Sequence, residues 1–215
     1  MHRTVSLGRC FTALALATIL LTWPSTGLGQ LPLPSPPAGT SSTIVGGASA
    51  ARVSVLGILG TAMTTALADT GTLTGANNAL DISTLAGGIP STLSAETLSA
   101  STISWADQVD SEASLGNLSM TVAGVGITAD FVMAQASQVL GAAGSGSSIL
   151  NNLVINGTPI AVSGAPNQAI AVPGGQVIIN QQTISSSGAA VVNALHVTVA
   201  GVADVVVASA TAGIS

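Results

Sequence analysis

The chain has no lysine and no tyrosine, and a single cysteine, Cys10. Its three cations are Arg3, Arg9 and Arg52, set against eight acids. Nucleic-acid binding needs a basic footprint to meet phosphates and none exists, and anionic membrane surfaces are disfavoured for the same reason. Cys10 precedes the first long apolar run. The segment after that run therefore has no disulfide, no thiolate chemistry and no cysteine for lipid attachment. Only two histidines occur, His2 and His196, which rules out a zinc site built from Cys and His clusters. Aromatics are 2% of the 215 residues, too few for the aromatic girdles of an outer-membrane barrel.

Charge is scarce as well, at 5%, whereas apolar residues reach 47% and are mostly Ala, Val, Leu and Ile. Disorder needs the opposite balance. No interior run approaches the ~20 apolar residues of a spanning helix, because Gly, Ser, Thr and Asn interrupt each one. An all-β domain with small-residue turns fits this composition.

Met1–Gly29 has the three parts of a secretory leader. His2, Arg3 and Arg9 form a positive start, Phe11–Leu21 an apolar run, and Gly27-Leu28-Gly29 a small-x-small cleavage site. Gln30 is then the expected first residue after cleavage, and the protein is expected to be secreted or displayed at the cell surface. An uncleaved anchor is the alternative, but about a dozen apolar residues are short for a span. Residues 30–45, rich in Pro and Ser, read as an extended linker, and 46–215 as a single domain.

The strongest strand signals lie in Gln176–Ala210. Three β-branched runs are separated by Ser185-Ser-Ser-Gly188 and Ala200-Gly201, which predicts a meander. In Ala189–Val199 the set Val191, Asn193, Leu195, Val197 and Val199 is the expected inward face. Asn156-Gly157, between Ile149–Ile155 and Thr158–Val162, is a type I′ hairpin signal. Turn signals recur about every eight to thirteen residues beyond Ile149, the rhythm of an antiparallel sandwich. Gly75–Gly88 and Gly141–Ser148 read as loops. Leu93–Ala100 and Ile127–Ala134 share the pattern aliphatic, x, Ala, acid, x, aliphatic, x, Ala. That echo makes a β-solenoid the alternative to a sandwich of roughly 8–12 short strands.

Chemistry-bearing residues are few. A Ser-His-Asp relay would have to use His196, which lies mid-strand without a nucleophile elbow. A two-residue turn at 200–201 would place Asp204 opposite Val197, near His196 but on the other face. Asp107, Asp110 and Glu112 fall within six residues. Oxygen ligands at such spacing suit Ca²⁺ or a glycan, although the calcium-loop spacing is missing. The same acids are a conceivable glycosidase pair, but Trp105 and Phe131 are the only aromatics beyond Trp23 to support a sugar. Asn117-Leu-Ser and Asn156-Gly-Thr are glycosylation sequons. No cofactor and no enzymatic activity are expected. Runs such as Ala203–Ala210, of high β propensity with almost no charge and no Lys to guard an edge, predict self-association through strand edges, and a surface glycan or matrix component is the other expected partner.

Asn193-Ala-Leu-His-Val197, followed by Ala203–Ala210, resembles the choice-of-anchor P family of bacterial exported proteins. Leu153-Val-Ile-Asn-Gly157 and Val177-Ile-Ile-Asn-Gln181 fit the same pattern. Asn193, His196 and Asp204 are the positions that carry the resemblance, which spans roughly Ala50–Ser215. It implies export and surface display and no particular activity. The chain departs in ending at Thr211-Ala-Gly-Ile-Ser215, without a sorting motif or apolar tail, so release or non-covalent retention is expected.

Overall fold

The computed structural model describes residues 42–56 and 62–215. The expected leader and most of the Pro/Ser-rich stretch lie outside them. The described residues form thirteen strands and no helix. They are β1 (Ile44–Leu56), β2 (Ala62–Asp69), β3 (Asn78–Ile89), β4 (Leu93–Ser104), β5 (Gln108–Val122), β6 (Val125–Val139), β7 (Ser145–Asn151), β8 (Val154–Ile155), β9 (Thr158–Pro159), β10 (Gln168–Val172), β11 (Gly175–Ile184), β12 (Ala190–Val199) and β13 (Ala203–Ile214).

They make two antiparallel sheets, as expected for a sandwich. Sheet I runs β10-β11-β12-β13-β1-β2, and sheet II runs β3-β4-β5-β6-β8-β9 with β7 also on β6. Every pairing is antiparallel, so the solenoid alternative falls. Eleven strands have five residues or more, but β5 and β6 reach fifteen and are not short. The strand begins at Ile44, two residues before the expected boundary at 46, because Ile44 is buried and pairs with Ile214. First and last described strands are thereby zipped together, and Thr43 and Ser215 exchange backbone hydrogen bonds of 2.7 and 3.0 Å.

The core between the sheets is aliphatic, and Ala, Val, Leu and Ile dominate it. Small side chains let the layers approach closely, which leaves little room for a Cβ at some glycines. A Cβ on Gly146 of β7 would overlap Val192 of β12 and come within 2.6 Å of the Gln135 carbonyl. Buried polar groups bridge the layers. Ser111 Oγ, which shares a 2.7 Å bond with Thr102, donates to the Thr211 carbonyl at 2.7 Å. Gln138 accepts from the Ile214 N–H at 2.9 Å and donates to the Ala142 carbonyl at 3.0 Å. Each group so satisfied avoids a penalty of roughly 1–3 kcal/mol.

A line of backbone adjustments crosses each sheet. In sheet I it passes through Ala68, Ala50, Ala208, Ala194 and Asn180, which lie between bridged pairs on adjacent strands. Ala68, Ala208 and Asn180, on alternate strands, have φ of 43°, 51° and 51°. Along this line the buried phase of each central strand shifts by one residue. On β12, Ala190, Val192 and Ala194 are buried before it, and Leu195, Val197 and Val199 after it. The expected inward face therefore holds only for the second half of that strand, and Asn193 is on the opposite face, half-buried. In sheet II the line passes through Thr97, Asn117 and Asp130, with φ of 47° and 48° at the first two.

This line explains the repeated octad. Leu93–Ala100 on β4 and Ile127–Ala134 on β6 both bury their first, third, sixth and eighth residues, because each crosses it between an acid and its neighbour. The two strands flank β5 and meet the same packing constraint. The echo is thus a record of a shared phase shift rather than of stacked solenoid turns.

Two expected loops contain strands. Asn78–Ile89 is β3, whose Leu80, Ile82 and Thr84 alternate despite the flanking Asn and Gly pairs. Ser145–Asn151 is β7, held by its register on β6 from Phe131–Asn151 to Ser137–Ser145. The Asn156-Gly157 turn forms as expected, with φ of 50° and 76°, but it joins strands of only two residues each. The expected meander of β11, β12 and β13 is present, but Ala203–Ala210, expected to pair with other chains, is not at an edge: β13 is hydrogen-bonded to β12 on one side and to β1 on the other.

Candidate functional site

The sheet I face bearing His196 gathers the positions that carried the family resemblance. Three residues, 200–202, separate β12 from β13, one more than expected, so Asp204 lies opposite Thr198 rather than Val197. Residues 196, 198 and 204 then share one face. His196 Nε2 is 3.0 Å from Asp204 Oδ2, with the imidazole largely covered and the carboxylate half-exposed. Its Nδ1 is buried without a partner. Among the described residues no hydroxyl hydrogen-bonds to either ring nitrogen. Across the phase shift, Asn193 donates to Gln181 Oε1 at 2.7 Å and accepts from Ser209 Oγ at 2.7 Å, tying three strands together.

The expected oxygen-ligand trio does not converge. Asp107 sits in the bend between β4 and β5, where its carbonyl accepts from the Leu140 N–H. Asp110 and Glu112 are on β5 itself, two residues apart and on one face. Among the described residues no three His, Cys, Asp or Glu side chains are grouped to hold a metal ion. Asp110 accepts from Gln108 Nε2 at 2.7 Å, and Glu112 from Gln135 Nε2 at 2.6 Å. Both carboxylates line a shallow depression of about 570 Å³ across β4–β7. Gln135, Ser137, Ser145 and Ser147, also at this depression, come from β6 and β7. Sequence reasoning missed them because only strand register brings them beside Asp110 and Glu112.

The third surface is an edge. β3 is the outermost strand of sheet II, twelve residues long and exposed over most of both faces. Ile82 and Thr84, on its inner side by register with Ala100 and Leu98, are exposed, and Leu85 is 85% exposed. Asp81 is its one charged residue.

Among the described residues, fold and surfaces together define a two-layer antiparallel β-sandwich with a polar outer face and one long edge strand, β3. Comparison with known protein families, with curated proteins and with solved structures finds no match for this chain.

Proposed function

We propose that this is an exported, non-enzymatic protein of the cell surface or extracellular space, with a structural or adhesive role and self-assembly through the β3 edge. The edge itself carries the proposal. An open strand presents a row of unpaired N–H and C=O groups, and soluble proteins blunt such edges with Lys, Pro, bulges or covering loops. Within β3 there is no Pro and no Lys, and Asp81 is the sole charge. The other edge strands are shorter, from two residues in β9 to eight in β2. A twelve-residue edge with a single charge suits antiparallel pairing with a second copy.

Export is supported by the three-part leader signature in Met1–Gly29. Surface display is supported by the sequence resemblance to the choice-of-anchor P family at Asn193–Val197 and Ala203–Ala210. A non-enzymatic role is supported by the scarcity of titratable groups and by the unaccompanied His196–Asp204 pair.

Sedimentation velocity over a wide concentration range tests the assembly. The wild-type chain is expected to show a concentration-dependent rise in sedimentation coefficient. Ser83→Lys with Leu85→Lys, which charges the exposed edge, is expected to remove it. A wild type that stays monomeric at the highest concentration would sink the proposal.

A further inference from the structure

We propose that the outer face of sheet II across β4–β7 binds a neutral oligosaccharide chain. The face carries two cross-strand rows. One runs Ser101–Glu112–Gln135–Ser147 and the next Ile103–Asp110–Ser137–Ser145, both fixed by strand register. Four strands at about 4.8 Å spacing give each row a span of roughly 14 Å, enough for several sugar rings laid across the strands.

The chemistry along the rows is that of a hydroxyl-rich ligand. Carboxylates accept only, whereas amides and serine hydroxyls both donate and accept. The four serine hydroxyls in these rows make no hydrogen bond within the described residues, although the neighbouring Gln108–Asp110 and Gln135–Glu112 pairs are made. Those pairs fix the orientation of the carboxylates and leave each a second oxygen for a sugar hydroxyl. The apolar component lies alongside. Ile103 lines the depression at 40% exposure, and Trp105 follows it two residues on at 42%. A half-exposed indole offers the flat apolar surface on which the C–H face of a sugar ring rests.

Charge selects among sugars. Sheet II and its loops contain six of the eight acids (Asp81, Glu96, Asp107, Asp110, Glu112 and Asp130) and no Arg, Lys or His. Uronates, sulfated sugars and phosphates therefore meet repulsion without a compensating cation. An extended peptide is disfavoured for another reason: the backbone groups beneath this face are already used in the sheet, so it offers no main-chain pairing. The proposal does not depend on assembly through β3, because the face and that edge are separate surfaces.

Trp105 gives a direct readout. In a full chain carrying Trp23→Phe it is the sole tryptophan. Its emission is titrated with neutral hexasaccharides of β-linked glucose, β-linked N-acetylglucosamine and β-linked mannose, and with a hexagalacturonate as the anionic comparator. At least one neutral chain is expected to give a saturable change, and the galacturonate none. Gln135→Ala combined with Ser137→Ala is expected to weaken binding tenfold or more with unchanged melting temperature. Silence with every neutral chain overturns the proposal, as does unaltered affinity in the double variant or preference for the galacturonate. Stabilisation by CaCl₂ that Glu112→Gln abolishes, without a response to any neutral chain, overturns it in favour of a cation site.

Discussion

Asn117 and Asp130 stand side by side on β5 and β6, between the bridged pairs Gly116–Phe131 and Leu118–Ala129, where the buried phase of β6 shifts. Each is held by a neighbour along the same line. Asn117 donates to Glu96 Oε2 at 2.8 Å, and Asp130 accepts from Asn152 Nδ2 at 2.6 Å. Asn117 has φ of 48°, a region that Asn tolerates and β-branched residues do not. Asn117→Val is therefore expected to cost about 1–3 kcal/mol, whereas Asn117→Gly stays within about 1 kcal/mol of wild type. Urea unfolding midpoints for the two variants check this.

The β5–β6 connection is a two-residue turn, Ala123-Gly124, with φ of 49° and 82°. Alanine is a poor choice for the first position of such a turn, where Asn is preferred. Ala123→Asn is expected to stabilise the protein by about 0.5–1 kcal/mol, read as a raised thermal midpoint.

Gly146 is where β7 meets sheet I without a side chain between them. Gly146→Ala forces its methyl into Val192 and the Gln135 carbonyl, and is expected to destabilise by about 1–3 kcal/mol. Combining it with Val192→Ala, which vacates the overlapped volume, recovers part of that loss. Strict additivity of the two substitutions would argue against direct contact.

The His196–Asp204 pair is a surface interaction, with Asp204 half-exposed. Solvent screening limits such pairs to about 0–1 kcal/mol, so Asp204→Asn is expected to shift stability by less than that. A double-mutant cycle with His196→Gln measures the coupling.

Legibility of the fold follows from which signals are local. Val, Ile and Thr runs with Ser-Gly and Ala-Gly breaks specify β11–β13 from residue types alone, since β-branching and turn chemistry act within a few residues. In β7, Ile149–Asn151 falls within the expected strand Ile149–Ile155, whereas Ser145-Gly-Ser-Ser148 reads as loop and forms a strand only where β6 supplies the pairing. The inward face of β12 was half legible. Alternation predicts one phase per strand, and the shift at Ala194 arises from a line shared with β11, β13 and β1.

The candidate sites divide the same way. Asp110 and Glu112 are visible in the sequence as two acids on one strand face. Gln135, Ser137 and the β7 serines join them through register, which no local signal encodes. The Ala200-Gly201 signal predicts a two-residue turn, which would put Asp204 on the face away from His196. One extra turn residue moves it onto the same face, since side-chain direction reverses with every residue.

Composition and β-branching need no partner to act, and they make a sparsely charged β protein of small residues legible from residue types alone. Only the tertiary structure decided which faces are buried, which side chains from distant strands become neighbours, and which strand is left at the edge. Those outcomes depend on how two sheets pack and pair, and hydrogen bonding between strands carries no address in any one of them.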